Sequence, residues 1–212
     1  MDLIPPLVAG VVQTVVGHPI DTIKTRIQNN MSWKSLSYKS YYKGYHAPFI
    51  VSLGFNSVVF PTHKYLYNKT DSHVVAGAVA GIIVTPMVWV AEVIKTSKQT
   101  GSKQSFCSLN GLGALYSRET IAMSIYFSSF HYIKDQGYNS FVAGGASGVL
   151  NWGITYPLDV IKTRQIAQGV SFKTALSQGR LHSGLGFTLL RAMLVNSCVF
   201  YTYEKTTGML NV

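Results

Sequence analysis

The chain has 212 residues, 47% of them hydrophobic and only 12% charged, with a mean hydropathy of +0.20. A soluble domain carries about twice that charged fraction, which points to lipid as part of the solvent and away from an ordinary water-soluble globule. The net charge of +10 collects in short polar joints, at Lys34, Lys39, Lys43, Lys98, Lys103, Lys173 and Arg180, which suits anionic lipid head groups on one side of a membrane and speaks against nucleic acid.

Six helical spans are predicted. The first, over 3–28, starts at once with Leu3, with no basic segment and cleavage site before it, so it is expected to be retained. It closes on Pro19-Ile20-Asp21-Thr22-Ile23-Lys24-Thr25-Arg26-Ile27-Gln28. A polar joint with a short surface helix near 33–42 leads to the second span, 45–68. After 69–71 comes the third, 72–99, ending in Glu92-Val93-Ile94-Lys95-Thr96-Ser97-Lys98-Gln99. A second surface helix near 103–109 precedes the fourth span, 112–134. After 135–137 the fifth, 138–165, carries Pro157-Leu158-Asp159-Val160-Ile161-Lys162-Thr163-Arg164. A third surface helix near 171–179 leads to the sixth, 184–206. Each span is roughly 22–28 residues, enough to cross a bilayer at 1.5 Å per residue with some tilt. None is cleanly apolar, as expected where one face lines a wet cavity.

The acids recur at 92 − 21 = 71 and 159 − 92 = 67 residues. A motif repeated at a near-constant period means one unit copied three times, over 1–70, 71–136 and 137–212, within one membrane domain. The fold class expected is therefore all-α, with six transmembrane helices in three pseudo-threefold repeats. Gly10, Gly81 and Gly148 each precede their acid by eleven residues, and Gly77 and Gly144 add a GxxxG spacing that lets a neighbouring helix approach. Asp21 and Lys24, Glu92 and Lys95, and Asp159 and Lys162 are three apart, so each pair shares a helix face. As isolated surface pairs they would contribute well under a kcal/mol each. Threefold recurrence at helix ends, with Pro19 and Pro157 before them, fits better with a ring of six alternating charges that closes one mouth of a central cavity and must break for solute to pass.

Cys107 and Cys198 are too few for a disulfide framework and are expected to be buried apolar residues. The six histidines form no HExxH or paired-ligand pattern, so no metal is expected. No nucleophile and base combination appears, so an enzyme is not expected either.

These motifs resemble the mitochondrial carrier family, whose signature is Px[DE]xx[KR]x[KR] followed by an aromatic-basic-Gly element. The first repeat supplies Pro19, Asp21, Lys24 and Arg26, then Tyr42-Lys43-Gly44; the third supplies Pro157, Asp159, Lys162 and Arg164. The second departs, with Val90 in the Pro position, Pro86 six residues before Glu92, and Ser97 for the second base. The resemblance covers the whole chain, in shortened form, and compact carriers of this kind occur in giant viruses. It implies an inner-membrane transporter of the mitochondrion that works by alternating access, as a monomer. It also implies pairing of Asp21 with Lys95, Glu92 with Lys162 and Asp159 with Lys24 on the matrix side, with Gln28 and Gln99 as braces beneath and Ile166 where a third would be. The cytoplasmic gate of the family, [FY][DE]xx[KR] on the even helices, is matched poorly: Lys134 and Glu204 keep the residue type, and Tyr67 can donate to Glu204. A weak gate there favours a resting state open to the cytosol.

Gly44, Gly111 and Gly184 begin the even helices, and seven residues on lie Val51, Arg118 and Arg191, the family's substrate contact points. Val51 is followed by Ser52 and Arg118 by Glu119. Arginine grips a carboxylate or phosphate in a fork, and Glu119 suits a cationic group; the plain alternative is an internal Arg–Glu pair. By resemblance the substrate is a small amino-acid-like zwitterion or cation of the basic amino acid, carnitine or S-adenosylmethionine type. A nucleotide or deoxynucleotide carrier, and a carrier-like membrane adaptor without transport, are the alternatives. Asn56, Tyr126 and Asn196 either add hydrogen bonds to the cavity wall or pack helices. Lys43 with Gly44 resembles a cardiolipin-binding element, the bound lipid expected beside no other cofactor.

Overall fold

The computed structural model describes residues 4–34, 36–102, 109–138, 140–192 and 194, with the side chains of 4–10, 12–13, 47–48, 51–54, 56–57 and 140–141 outside that description. Within them the chain is helical and contains no strand. The long helices are α1 (Ile4–Gln28), α3 (His46–Thr70), α4 (His73–Thr100), α5 (Leu112–Asp135) and α6 (Ser140–Gln168); two short ones, α2 (Tyr38–Tyr41) and α7 (Phe172–Ser177), lie in the joints. Residues 185–192 begin a further helix. The first joint helix is shorter than predicted, and the predicted one near 103–109 falls mainly outside the described residues.

Local chemistry sets the boundaries. Pro5 and Pro6 open α1, where the first turn has no use for their missing N–H. Ser72 caps α4 by accepting from the Val75 N–H, and Ser171 caps α7 by accepting from the Thr174 N–H. Gly101, at φ 74°, ends α4 in the left-handed conformation that glycine adopts without penalty. Pro19, Pro61, Pro86 and Pro157 lie inside helices.

Sequential helices pack side by side, α3 on α4, α4 on α5 and α5 on α6, and α1 touches α3, α4 and α6. Gly77 and Gly81 make the α4–α5 contact as close as backbone allows: a Cβ at Gly77 would fall 2.5 Å from the Met123 carbonyl oxygen, and one at Gly81 2.5 Å from that of Glu119. Gly144 meets only the Tyr126 hydroxyl, at 3.9 Å, and Gly148 nothing within 4 Å among the described residues, so the same spacing makes no such contact there. Gly10 lies within α1.

The distribution of polarity is inverted. Thr22, Gln28, Asn29, Glu119, Asp159, Lys162, Arg164 and Gln165 are buried. Val74, Val75, Ile82, Ile83 and Val90 of α4, and Val142, Val149, Leu150 and Ile154 of α6, are exposed. Their spacing of about two turns makes each set one helix face. Contiguous exposed apolar faces of this kind mark contact with something other than water. Among the described residues α4 alone is long and apolar enough throughout to cross a membrane by composition.

Candidate functional site

The site is built where α1, α4 and α6 converge. Lys95 of α4 donates to Asp21 of α1 at 3.0 Å, Lys162 of α6 to Glu92 of α4 at 2.8 Å, and Lys24 of α1 lies 2.7 Å from Asp159 of α6. Each acid thus meets the base of another repeat, and six charges alternate around one end of the helix group. The ring is not symmetric. Lys162 also lies 3.0 Å from Asp159 of its own helix, and the Arg191 Nε lies 2.7 Å from Asp21. Asp159 is 3% exposed, and such a carboxylate is tolerable only because two ammonium groups face it.

Beneath the ring the two glutamines behave differently. Gln28 donates to Asp159 at 3.0 Å and to the Tyr156 hydroxyl at 3.3 Å, so it supports the Lys24–Asp159 pair directly. Gln99 instead donates to the Thr22 hydroxyl at 3.0 Å and touches neither partner of the Asp21–Lys95 pair. Ile166, at the third position, is buried against Trp89, Val93 and Leu115.

The second bases of the motif serve the backbone. Arg26 donates to the Gln99 carbonyl at 3.2 Å and to that of Ser32 at 2.7 Å. Arg164, fully buried, donates to the Gln28 carbonyl at 2.8 Å, to Ala175 at 3.0 Å and to Gly179 at 2.7 Å. Both satisfy carbonyls that a helix end leaves without partners, and both reach across to another repeat. Ser97, in the equivalent place, has a buried hydroxyl without a partner among the described residues.

A second threefold element lies just ahead of α3, α5 and the helix that begins at 185. Gly44, Gly111 and Gly184 have φ of 83°, 89° and 89°. A Cβ on Gly44 would come within 3.3 Å of Lys95, and one on Gly111 within 3.0 Å of the Lys162 carbonyl. On Gly184 it would come within 3.0 Å of the Tyr156 hydroxyl and 3.5 Å of Lys24. Each glycine seats the ring lysine of another repeat. Two residues absent from the sequence argument hold these turns: His18 donates from Nε2 to the Lys43 carbonyl at 3.0 Å, and Tyr156 donates to the Ser183 carbonyl at 3.0 Å. They occupy the same place, three before the acid, but their partners are backbone atoms, which a residue pattern does not display.

Inside the helix group Arg118 pairs with Glu119 and lies 4.8 Å from the centre of the Trp152 ring, and the Lys24 ammonium lies 4.5 Å from the same ring. Glu119 is 2% exposed. Trp152 thus links the ring to the inner arginine, a connection no motif announced. Tyr126 stacks on Phe130 and meets Phe127 edge-on, a packing position. The side chains of Val51, Ser52 and Asn56, and the whole of Asn196, Glu204, Cys107 and Cys198, lie outside the described residues. Pro19 and Pro157 stand two residues before their acids within α1 and α6.

At the opposite end, 92 − 73 = 19 residues away along α4 or about 28 Å, Tyr67 stacks on His73 at 3.9 Å between ring centres. Lys134 is exposed and enters no ion pair among the described residues. Lys43 and Gly44 line a cavity of about 870 Å³ with Lys39 and, from α4, Ile94, Lys98 and Gly101.

Comparison with known proteins agrees with this arrangement. The family model for mitochondrial carrier proteins matches residues 134–212. A mitochondrial arginine transporter (BAC2) of Arabidopsis thaliana is 28% identical over 260 residues, covering 92% of this chain and 86% of the relative. A mitochondrial carnitine/acylcarnitine carrier-like protein of the same plant is 25% identical, covering 99% and 98%. An S-adenosylmethionine mitochondrial carrier protein homolog of Drosophila melanogaster is 27% identical, covering 96% and 90%. The chain resembles mitochondrial carriers along nearly its whole length and matches their family model over residues 134–212. Alignments of 255 to 293 residues against a 212-residue chain place extra residues in these carriers. These relatives are named as carriers and transporters, not as enzymes.

Proposed function

We propose that this carrier moves an amino-acid-like zwitterion or cation across the mitochondrial inner membrane by alternating access, through six spans arranged as repeats 1–70, 71–136 and 137–212. The observation that carries the proposal is the closed ring of six charges joining α1, α4 and α6. Buried ion pairs contribute little net stability, so a full ring is better explained as a latch that opens and re-forms. The exposed apolar faces of α4 and α6 supply the lipid contact. With the ring closed, the cavity would face the cytosol.

The substrate class follows from charge conservation. Arg118 is held by Glu119, and Arg191 lies on Asp21. An incoming carboxylate that takes Arg118 leaves the buried Glu119 behind, at a cost of several kcal/mol, whereas Asp21 keeps Lys95 when Arg191 is taken. A substrate that brings its own ammonium or guanidinium compensates that carboxylate; a nucleotide does not. The arginine, carnitine and S-adenosylmethionine carriers among the relatives bear names that fit such molecules. The cavity beside Lys43 and Gly44, with Lys39 and Lys98, suits the phosphates of cardiolipin.

Uptake into cardiolipin-containing liposomes, with a labelled panel of basic amino acids, carnitine, S-adenosylmethionine and (deoxy)nucleotides, tests this reading. Uptake of a cationic or zwitterionic compound, lost in Arg118→Ala, is expected. Uptake confined to nucleotides would overturn the substrate class. No uptake by well-folded protein would leave a membrane adaptor as the better account.

A further inference from the structure

Three histidines that stand 10 and 58 residues apart in the chain, 73 − 63 and 131 − 73, meet at the mouth opposite the charge ring. His63 lies in α3, His73 is the first residue of α4, and His131 lies in α5. One donor atom from each falls within 4.8 Å of the other two. The rings are stacked, His73 on His131 at 3.7 Å, His63 on His73 at 5.4 Å and His63 on His131 at 5.7 Å. Phe127 covers the far face of the group at 3.7 Å from His63, and Tyr67 lies 3.9 Å from His73.

Stacking alone leaves ring nitrogens unused. His63 Nε2 and His73 Nδ1 are buried without a hydrogen-bond partner among the described residues. A buried ring nitrogen without a partner is unfavourable, and a bound cation would relieve it. We infer that His63, His73 and His131 form a binding site for a divalent transition metal of the zinc class, which ties the ends of α3, α4 and α5 together. Three neutral imidazoles are the donors that Zn²⁺, Ni²⁺ and Cu²⁺ prefer, whereas Mg²⁺ and Ca²⁺ require oxygen ligands that this group lacks. Tetrahedral Zn²⁺ with bonds of about 2.0–2.1 Å needs its nitrogens roughly 3.4 Å apart, so the most distant donors must converge by up to about 1.4 Å and the stacked rings must turn until their lone pairs meet. Water supplies the fourth position. Asp71, two residues before His73, and Asp135, one turn after His131, bring negative charge to the same mouth. His73 and His131 are half-buried, which leaves a route of entry. The site stands on these residues whether or not the chain transports solute.

The test uses the purified full chain in detergent, with Co²⁺ as a spectroscopic probe and Zn²⁺ as competitor. One Co²⁺ per chain is expected, with visible bands of a nitrogen-rich site of low coordination number that Zn²⁺ abolishes. His73→Asn and His131→Asn should each weaken Co²⁺ binding by at least the ~10–100-fold that loss of an outer-shell partner costs. The rise in Tm that Zn²⁺ produces should vanish in both. His182→Asn, at an exposed position away from the group, should keep both properties. His63 is buried and its replacement can disturb folding, so the two half-buried ligands carry the test, each with its metal-free Tm as the folding control. Equal Co²⁺ affinity in a folded His73→Asn/His131→Asn double variant, or absence of Co²⁺ binding by the wild type below millimolar concentration, would overturn the site.

Discussion

Lys162 holds a different position from the other two ring lysines. It is 3% exposed and faces both Glu92 and Asp159, while Lys95 meets Asp21 alone. Asp21 has a second cation in Arg191. Lys162→Gln therefore leaves the half-buried Glu92 without a cation among the described residues and Asp159 with Lys24 only, whereas Lys95→Gln leaves Asp21 with Arg191. Removing one partner of a buried pair costs about 3–5 kcal/mol, and Lys162→Gln belongs at the upper end of that range with Lys95→Gln below it. Thermal unfolding in detergent ranks them; equal losses would contradict the asymmetry. Arg164 makes a second case. Its three carbonyl acceptors fan out around a planar guanidinium, and a lysine ammonium reaches one at most from the same stem. Arg164→Lys should cost about 2 kcal/mol or more by leaving carbonyls unpaired, and a Tm within a degree of wild type would refute that. The ring acids and bases were legible in the sequence because the motif repeats at near-constant spacing. Trp152, His18 and Tyr156 were not, since their partners are a cation two turns away on other helices or a backbone carbonyl. The pairing of Arg118 with Glu119 was visible only as an alternative, because consecutive helix residues ordinarily point apart.

At the scale of elements, the first five spans read from the pattern of apolar runs and turn residues fall close to the helices observed, with α1 ending at Gln28 and α4 running from His73 to Thr100, while most of the sixth lies outside the described residues. Helix packing was legible only in part. The GxxxG spacing occurs twice, yet among the described residues only Gly77 and Gly81 meet a neighbouring backbone. Spacing places two glycines on one face, and the register of the neighbour decides whether that face is used. Gly77→Ala should force α4 and α5 apart and cost about 1–3 kcal/mol. Gly113→Ala, at an exposed helical position with nothing within 4 Å, should stabilise by about 0.5–1 kcal/mol. Paired unfolding curves of the two variants give opposite signs if the close approach is real.

For the molecule as a whole, the inverted polarity makes a direct prediction about lipid. Ile83 is 51% exposed on the apolar face of α4, near the middle of the helix. Ile83→Lys should cost about 2.5–3.5 kcal/mol of membrane insertion, seen as loss of protein from the membrane fraction. Unchanged insertion would mean that the face is covered by protein. The meeting of α1, α4 and α6 at one charged end was legible from three copies of one phrase. The histidine group was not, because it draws one residue from each of three helices and no local spacing announces it. The asymmetry of the arginine contacts has a consequence for how the ring gives way. Arg164 laces α6 to α1, and Arg26 laces α1 to α4, each through a carbonyl at the far helix end. Between α4 and α6 the corresponding residue is Ser97, which laces nothing among the described residues. A hoop with two stitched joints and one plain one parts first at the plain joint, so Glu92 and Lys162 are the pair to separate earliest. Ser97→Arg would stitch the third joint, and spin-label distances between α4 and α6 should then stay short under conditions that widen them in the parent chain.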